Sequence, residues 1–387
     1  MSRKLFWISS VIVLTLAAAG AVSHSHQPRS VPEGKQGGSD PLIRQPLDSV
    51  GYATSPDEVE FILQTAAGYT SPIAGGAGKE EGLPEGVMTG AICPHDDYLY
   101  AGPAYVEVMK RVKAPVTVIF GVCHAARRRG IQEKLIFDSY DAWKGPYGNC
   151  PVSTLRDEII DALPQQYVMI SNELHAREHS IEAFIPFLQY PGFAAGEGEE
   201  QRRGIVPVLV TRFPGKKQGK AAGLMAEVLR DRMEARWWTL GEDLAILISA
   251  DCVHYGDYKW GGRNYAPFGT GMSGYRRALE QELEIIDSSL TGAVDTDKLD
   301  RFRELVERDD PEWPYRVTWC GVYSIPFGLR TLSKLSALCG RPGPEGYLLQ
   351  YSTSLEKPHY SDITGGLGVT NISTLRHWVG YAAIGYW

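Results

Sequence analysis

Short apolar runs separated by amphipathic stretches set the first picture of this chain. Runs over Gly86 to Ile92, Pro115 to Val122, Gly204 to Val210 and Asp243 to Ala250 read as buried strands. Helical spacing of apolar residues marks Pro103 to Val112 after the first run and Lys220 to Arg232 before the last. A strand–helix–strand order implies parallel pairing, because the crossover returns the chain in the same direction. Upstream, Ser55-Pro56-Asp57-Glu58 supplies an N-cap, a proline for the first helical position and a capping-box acid ahead of Phe61, Ile62 and Leu63. Downstream, amphipathic helices are expected over Ser273 to Leu290 and Lys298 to Arg308. The β-rich segments Tyr347 to Ser354 and Trp378 to Trp387 are expected to complete the sheet. The fold class predicted is α/β, a single domain with a central mixed, largely parallel sheet flanked by helices.

Length changes this picture little: 387 residues allow one or two domains, and no internal repeat points to two. The formal net charge of −7, from 46 acidic and 39 basic residues, carries no basic footprint for nucleic acid. The N-terminus does add something. Arg3 and Lys4 precede an apolar stretch from Leu5 to Leu16 and then small residues to Ser23, the pattern of a secretory signal. Residues 1–23 are therefore expected to be a signal peptide or, uncleaved, an N-terminal membrane anchor, with the folded part exported to the periplasm or beyond. A solvated linker is expected over 24–50, most clearly from His24 to about Pro41, and the folded domain over 51–387. In an oxidising compartment the six cysteines would favour disulfides, for which Cys150 and Cys339 are the better candidates, as bridge or core residues.

The other cysteines sit in patterned company. Cys93-Pro94-His95, Cys123-His124 and Asp251-Cys252-Val253-His254 each follow a predicted strand, and Trp319-Cys320-Gly321 joins them as a fourth motif. In open α/β sheets ligands collect beyond the carboxyl ends of the strands, where loops diverge from a rigid base. Imidazole and thiolate are favoured ligands of zinc, copper and iron, so the pattern points to a metal centre at one sheet edge. Glu178-His179-Ser180-Ile181-Glu182 is expected to open a helix with Ile181, Phe184, Ile185 and Leu188 on its apolar face. His179 and Glu182 would then lie one turn apart, either as a proton relay or as a helix start stabilised by carboxylates. His175, His359 and His377 read as structural or exposed, and His24 and His26 as part of a tail. Gly269-Thr270-Gly271-Met272-Ser273-Gly274 has the letters of a dinucleotide fingerprint but no preceding strand, which makes it a loop or the start of a helix. Arg127-Arg128-Arg129 is either a solvated charge run or the lining of an anionic substrate's path. Asn371-Ile372-Ser373 meets the glycosylation pattern.

Taken in order, these segments resemble the Memo family. The resemblance is carried by Cys93-Pro94-His95 with Tyr98, Tyr100 and Gly102, by Ile119 to His124, and by Glu178 to Glu182 with Pro186-Phe187. Val206 to Val210, Ser249 to Gly256, Cys320-Gly321 and Tyr381-Ala382-Ala383 complete it. It covers roughly Val87 to the C-terminus. It implies the fold of class III extradiol ring-cleaving dioxygenases, with a metal pocket formed by His95, a histidine of the 124 motif, His254 and Cys320, and with Asp251 beside it. It also implies iron or copper binding, redox chemistry, and a functional link to a radical-SAM protein. The chain departs from the family pattern at Ala125, where a second histidine is expected as ligand, and at Asp96-Asp97, which add two acids next to His95.

The function expected is that of an enzyme with one transition-metal ion, iron or copper with zinc also allowed. His95, His124, His254 and Cys320 are the expected ligands. His254, oriented by Asp251, is the expected proton carrier, acting on a small-molecule or peptide ligand. Two alternatives come from other classes: a protein that retains metal, peptide or small ligand without turnover, and a metal-free Cys/His catalyst using Cys320 or Cys252 with His254.

Overall fold

The strongest apolar runs of the chain become the centre of one large sheet. In the computed structural model residues 40–387 are described, apart from 68, 70, 72, 74–81, 194–203, 311, 312 and 357–365. The signal-like segment, His24, His26 and His359 lie outside the described residues. Pro41–Trp387 forms one compact unit. Its strands in chain order are β1 (Ile43–Arg44), β2 (Gly90–Cys93), β3 (Val116–Val122), β4 (Leu135–Phe137), β5 (Ala142–Gly145), β6 (Gly148–Pro151), β7 (Val168–Ile170) and β8 (Gly204–Val210). They continue with β9 (Leu244–Ser249), β10 (His254–Gly256), β11 (Gly292–Ala293), β12 (Glu345–Thr353) and β13 (His377–Tyr386).

The main sheet runs β11-β12-β13-β2-β9-β3-β8-β4-β7, with β10 added against β13. Its centre, β2-β9-β3-β8, is parallel, as the crossover pattern implies. Both wings join it antiparallel, through β13 to β2 and through β4 to β8, so the sheet is mixed. Strands in the centre of such a sheet are buried on both faces, which is why they read as continuous apolar runs. Alternate residues serve opposite layers. Val118 and Phe120 of β3 and Ile246 and Ile248 of β9 face one core, while Ile119, Ala245 and Leu247 face the other. The first core packs under helices Lys217–Glu234 and Ser324–Leu338, the second under helices Pro56–Ala67 and Tyr98–Met109. No helix of the described residues is long and apolar enough to cross a membrane.

Three expectations need correction. Residues 41–50, read as linker, belong to the fold: β1 pairs in parallel with β5 in a small sheet completed by β6. Arg44 is only 1 % exposed. Its guanidinium lies over the Trp143 ring at 4.3 Å, meets Glu182 at 2.5 Å and donates to the carbonyls of His175 and Glu178. A polar segment reads as solvated when its partners lie about 130 residues away in the chain and cannot be seen from its own composition. Next, the helix expected at Pro103 starts at Tyr98, whose N–H donates to the Gly51 carbonyl, and carries Pro103 inside it. Lastly, no helix opens at Glu178. A 3-10 turn, Glu182–Phe184, and the short helix Ile185–Leu188 come later, because the Glu178 carboxylate is taken up by the backbone N–H groups of His124, His179 and Ser180. The fingerprint-like glycines do start a helix, Met272–Ser289, with Gly271 at its N-cap.

Candidate metal centre

Because β2, β9 and β3 are parallel neighbours, the residues that follow them emerge side by side at one edge. His95 and Asp251 each stand two positions beyond a strand end, as does His124, and His254 begins β10. Cys320 opens the 3-10 turn Cys320–Val322 that leads into helix Ser324–Leu338. Gly321 lets this turn close on the sheet, since a Cβ there would fall 2.3 Å from that of Ala250. The structure thus assembles two groups of potential ligand atoms, each within 4.8 Å of one another: His95 with Asp251 and Cys320, and His95 with His124 and His179.

The buried group is held by a hydrogen-bond chain that fixes its protons. The Ser249 hydroxyl donates to the Ser180 carbonyl at 2.5 Å, which uses its only hydrogen. It must therefore accept from His95 Nδ1, 2.7 Å away, so the His95 proton sits on Nδ1 and Nε2 keeps a bare lone pair. That lone pair faces Asp251 Oδ2 at 3.4 Å and Cys320 Sγ at 3.5 Å. Asp251 is oriented from behind, its Oδ1 accepting the His95 backbone N–H at 2.8 Å, while its own N–H donates to Cys320 Sγ at 3.0 Å. Burial pushes the His95 pKa down to about 3 against the pull of Asp251, so its imidazole is neutral. Burial also raises the Cys320 thiol well above its usual range, with the Asp251 charge adding to it. Burial alone would raise Asp251, but His95 and His254 nearby hold it well below the ordinary carboxylate range.

The outer group is built differently. His124 Nδ1 meets Glu178 Oε1 at 2.9 Å, and His179 stacks on His124 with centroids 5.1 Å apart and planes within 6°. Burial opposes charge on His124, yet Glu178 outweighs it and lifts the pKa above its ordinary value. His179 goes the other way, lowered by burial and by His124. Burial would raise Glu178, but the two histidines and the backbone donors hold it far below.

The sequence-derived residues thus fall into distinct places. His95, Cys320 and Asp251 meet in one group and His124 joins His95 in the other. His254 is in neither: its Nε2 lies 3.7 Å from Asp251 Oδ2, beside the groups and half-buried. Asp97 is turned away to bind the Thr370 N–H and hydroxyl, so it is not an added oxygen donor. Asp96 accepts from the Tyr381 hydroxyl and lines a small cavity of about 290 Å³ with His95, Asp251 and His254, its pKa raised to about 6 by burial and by Asp251. His175 is buried with Nε2 on the Ile136 carbonyl, and His377 donates from Nδ1 to the Tyr258 carbonyl, both structural. Cys93, Cys123, Cys252 and Cys339 are free thiols, and Cys150 is buried on β6. Asn371 accepts at its side-chain carbonyl from Lys259.

His179 was the residue missed as a member of the site. Its motif was visible, but reading it as helical sent it to the wrong face. Ser249, at the last position of β9, and Glu282 also escaped notice. Glu282 is a buried carboxylate that accepts from the Val253 N–H, the Trp319 indole and the Tyr351 hydroxyl, tying together the loops that carry His254 and Cys320. Burial raises its pKa to about 7.

Because His95 offers one free nitrogen, the two groups compete for a single ligand atom and could hold one ion at a time rather than two. Imidazole, carboxylate and a thiol that would give up its proton to a bound cation form a borderline-soft donor set around it. A larger cleft of about 720 Å³ opens over His124, His254 and Cys320.

The family model described as Memo-like protein matches residues 52–366. A MEMO1 family protein of Aquifex aeolicus is 26% identical over 334 residues, covering 84% of this chain and 98% of the relative. A second, from Pyrococcus abyssi, is 27% identical over 285 residues, 72% of this chain and 84% of the relative. A third, from Methanopyrus kandleri, is 24% identical over 299 residues, 77% and 82% of the two chains. With the α/β fold and the histidine–cysteine edge in place, a match over most of the folded unit decides the matter: the chain belongs to the Memo family.

Proposed function

We propose that this protein holds one transition-metal ion, iron or copper before zinc, and uses it as a redox or oxygenase-type enzyme. The observation that carries this reading is the bare Nε2 of His95, set by Ser249 and facing Cys320 and Asp251. His95 and Cys320 would hold the ion, with Asp251 and the pair His124 and His179 as the remaining donors. Such an ion would supply Lewis acidity and, for iron or copper, one-electron chemistry. The chain's own residues do the rest. Glu178 keeps the His124 proton on Nδ1 and so leaves Nε2 toward the pocket, while Asp251 steers His254, which is half-exposed at the cleft and suited to carry a proton between solvent and a bound ligand.

Elemental analysis of the full chain purified without oxygen tests the reading, with His95→Ala and Cys320→Ala alongside. One ion per chain, lost in both variants, is the expected result, and metal content unchanged in both overturns it. Oxygen consumption on catechol-type substrates then separates turnover from retention. Ala125, in the place of an expected ligand, favours the second reading, a protein that keeps its ion or ligand without turnover. The N-terminal sequence supports export or anchoring of the same centre. N-terminal sequencing of protein from its host checks it, and a chain starting at Met1 in a cytoplasmic fraction overturns it.

A further inference from the structure

A row of stacked rings runs along the cleft wall from the edge of the centre. His254 stacks on Trp260, Trp260 on Tyr265 and Tyr265 on Trp313, with centroids 5.3, 5.7 and 5.3 Å apart and planes within 28°. Its faces are filled: the His377 ring lies 4.1 Å from Trp260, and the Arg263 guanidinium carbon 4.2 Å from the Trp313 centroid. Rings packed in this way have little face left for a ligand, but they are held at fixed, short separations. Trp260 also stands between two spaces, lining the small cavity with His95, Asp251 and His179 and the larger cleft with Cys320 and Tyr265.

Indole and phenol are the protein rings that give up one electron most readily, and transfer between rings falls steeply with distance, so touching rings relay a charge. What each ring does with its proton decides where the charge rests. An oxidised indole can keep its N–H, and Trp260 shares that hydrogen with the Tyr255 carbonyl at 3.2 Å. An oxidised phenol sheds its proton and needs a place for it. Tyr265 is half-buried at the cleft, and its hydroxyl makes no hydrogen bond among the described residues, so water takes the proton. Beyond it, Arg263 opposes a positive charge on Trp313. Tyr52 and Tyr105, nearer His95, are buried and donate to the backbone carbonyls of His95 and Asp96, which are too weakly basic to accept a proton outright.

We propose that Trp260 and Tyr265 form a one-electron route between the centre and the cleft. When dioxygen or a peroxide leaves the centre one electron short, Trp260 supplies the electron past His254. Tyr265 then refills Trp260 and releases its phenolic proton to water. A small one-electron reductant in the cleft, of the ascorbate or thiol class, returns the electron to Tyr265, and water returns the proton. The net result is one electron passed from reductant to centre. This rests on the redox reading of the centre for the source of the oxidising charge.

Two measurements on the full chain test it. In the chain stripped of metal by chelation, azide radicals made by pulse radiolysis oxidise indoles, and transfer to phenols is followed by transient absorption. A first-order transfer phase is expected that Tyr265→Phe removes and Trp260→Phe diminishes. In the chain loaded with iron(II) and mixed with hydrogen peroxide, freeze-quench EPR should show a tyrosyl signal that ascorbate discharges. Tyr265→Phe should abolish this signal, and Trp260→Phe should slow its formation at least about tenfold. A radiolysis phase unchanged in Tyr265→Phe, or a tyrosyl signal unchanged in Trp260→Phe, overturns the proposal. So does a signal lost instead in Tyr381→Phe, the buried phenol that donates to the Asp96 carboxylate. Peptide maps in which Trp237, 93 % exposed, is oxidised as heavily as Trp260 also overturn it, since the radicals are then free in solution. If circular dichroism shows Trp260→Phe misfolded, Tyr265→Phe decides alone. Failure of the untreated chain to retain an ion would sink the proposed enzyme, while radiolysis of the stripped chain still decides the step between the two rings.

Discussion

The two sides of the edge cluster are made on opposite principles. On the buried side, His95, Asp251 and Cys320 are enclosed and the His95 proton is fixed by a serine relay; on the outer side, His124 and His179 lean on one carboxylate and His124 reaches the cleft. The buried side keeps a neutral imidazole by desolvation, whereas the outer side favours a charged one by pairing it with Glu178. A ligand set built this way separates holding from responding: one half has its donor state fixed, and the other can follow pH.

The largest effect should come from the buried side. His95→Ala or Cys320→Ala is expected to weaken metal binding by more than the roughly 10–100-fold that a supporting residue is worth. His179→Ala should cost less, which competition with a chromogenic chelator would show, and the contrast collapses if it costs as much. Arg44→Met comes next. It leaves Glu182 buried without its partner and frees the Glu178 turn, so fold stability should fall by about 3–5 kcal/mol in urea denaturation. A change within error would mean that the outer side does not depend on the N-terminal segment.

Ser249→Ala sharpens the tautomer argument. It removes the acceptor for His95 Nδ1 and should lower metal affinity by roughly 10–100-fold with little change at His124 and His179. Nitrogen-15 NMR of the histidines in the metal-free protein reports the tautomer directly, and a proton on Nε2 of His95 in the unmodified chain would falsify the relay.

The smallest effect is one of pH. His124 has a raised folded pKa, so its stabilising contribution is complete below its ordinary 6.5 and fades as pH rises through the folded value. Glu178 is depressed, so its contribution is complete above its ordinary 4.5 and fades as pH falls through its folded value. Glu178→Gln should flatten stability across this window and lower the pKa of His124. In metal binding, the Cys320 thiol must lose a proton throughout. The logarithm of affinity should therefore climb with a slope of about one, steepening to about two below the His124 pKa. His124→Ala should keep the single slope, and a break that persists in that variant assigns it to another group.

How much of this was legible beforehand follows chain distance. The strands β3, β8 and β9 announced themselves because a strand buried on both faces needs apolar residues throughout. His95, His124 and Asp251 were found because each follows such a strand by two residues, so their place comes with the strand's. His179 stands in irregular chain whose path is set by Glu178 binding three backbone N–H groups and by Arg44 arriving from the other end of the domain. No periodicity records such contacts.

The sequence by itself therefore determined the α/β class, the edge that carries the chemistry and the Memo resemblance, since apolar runs and strand-end motifs are local properties. Only the tertiary structure decided that Arg44 belongs to the fold, that His179 stands with His95 and His124 while His254 stands beside, and that His95 presents a bare nitrogen. Each of those depends on hydrogen bonds and ion pairs between residues far apart in the chain, whose energy exists only once the sheet has brought them within reach.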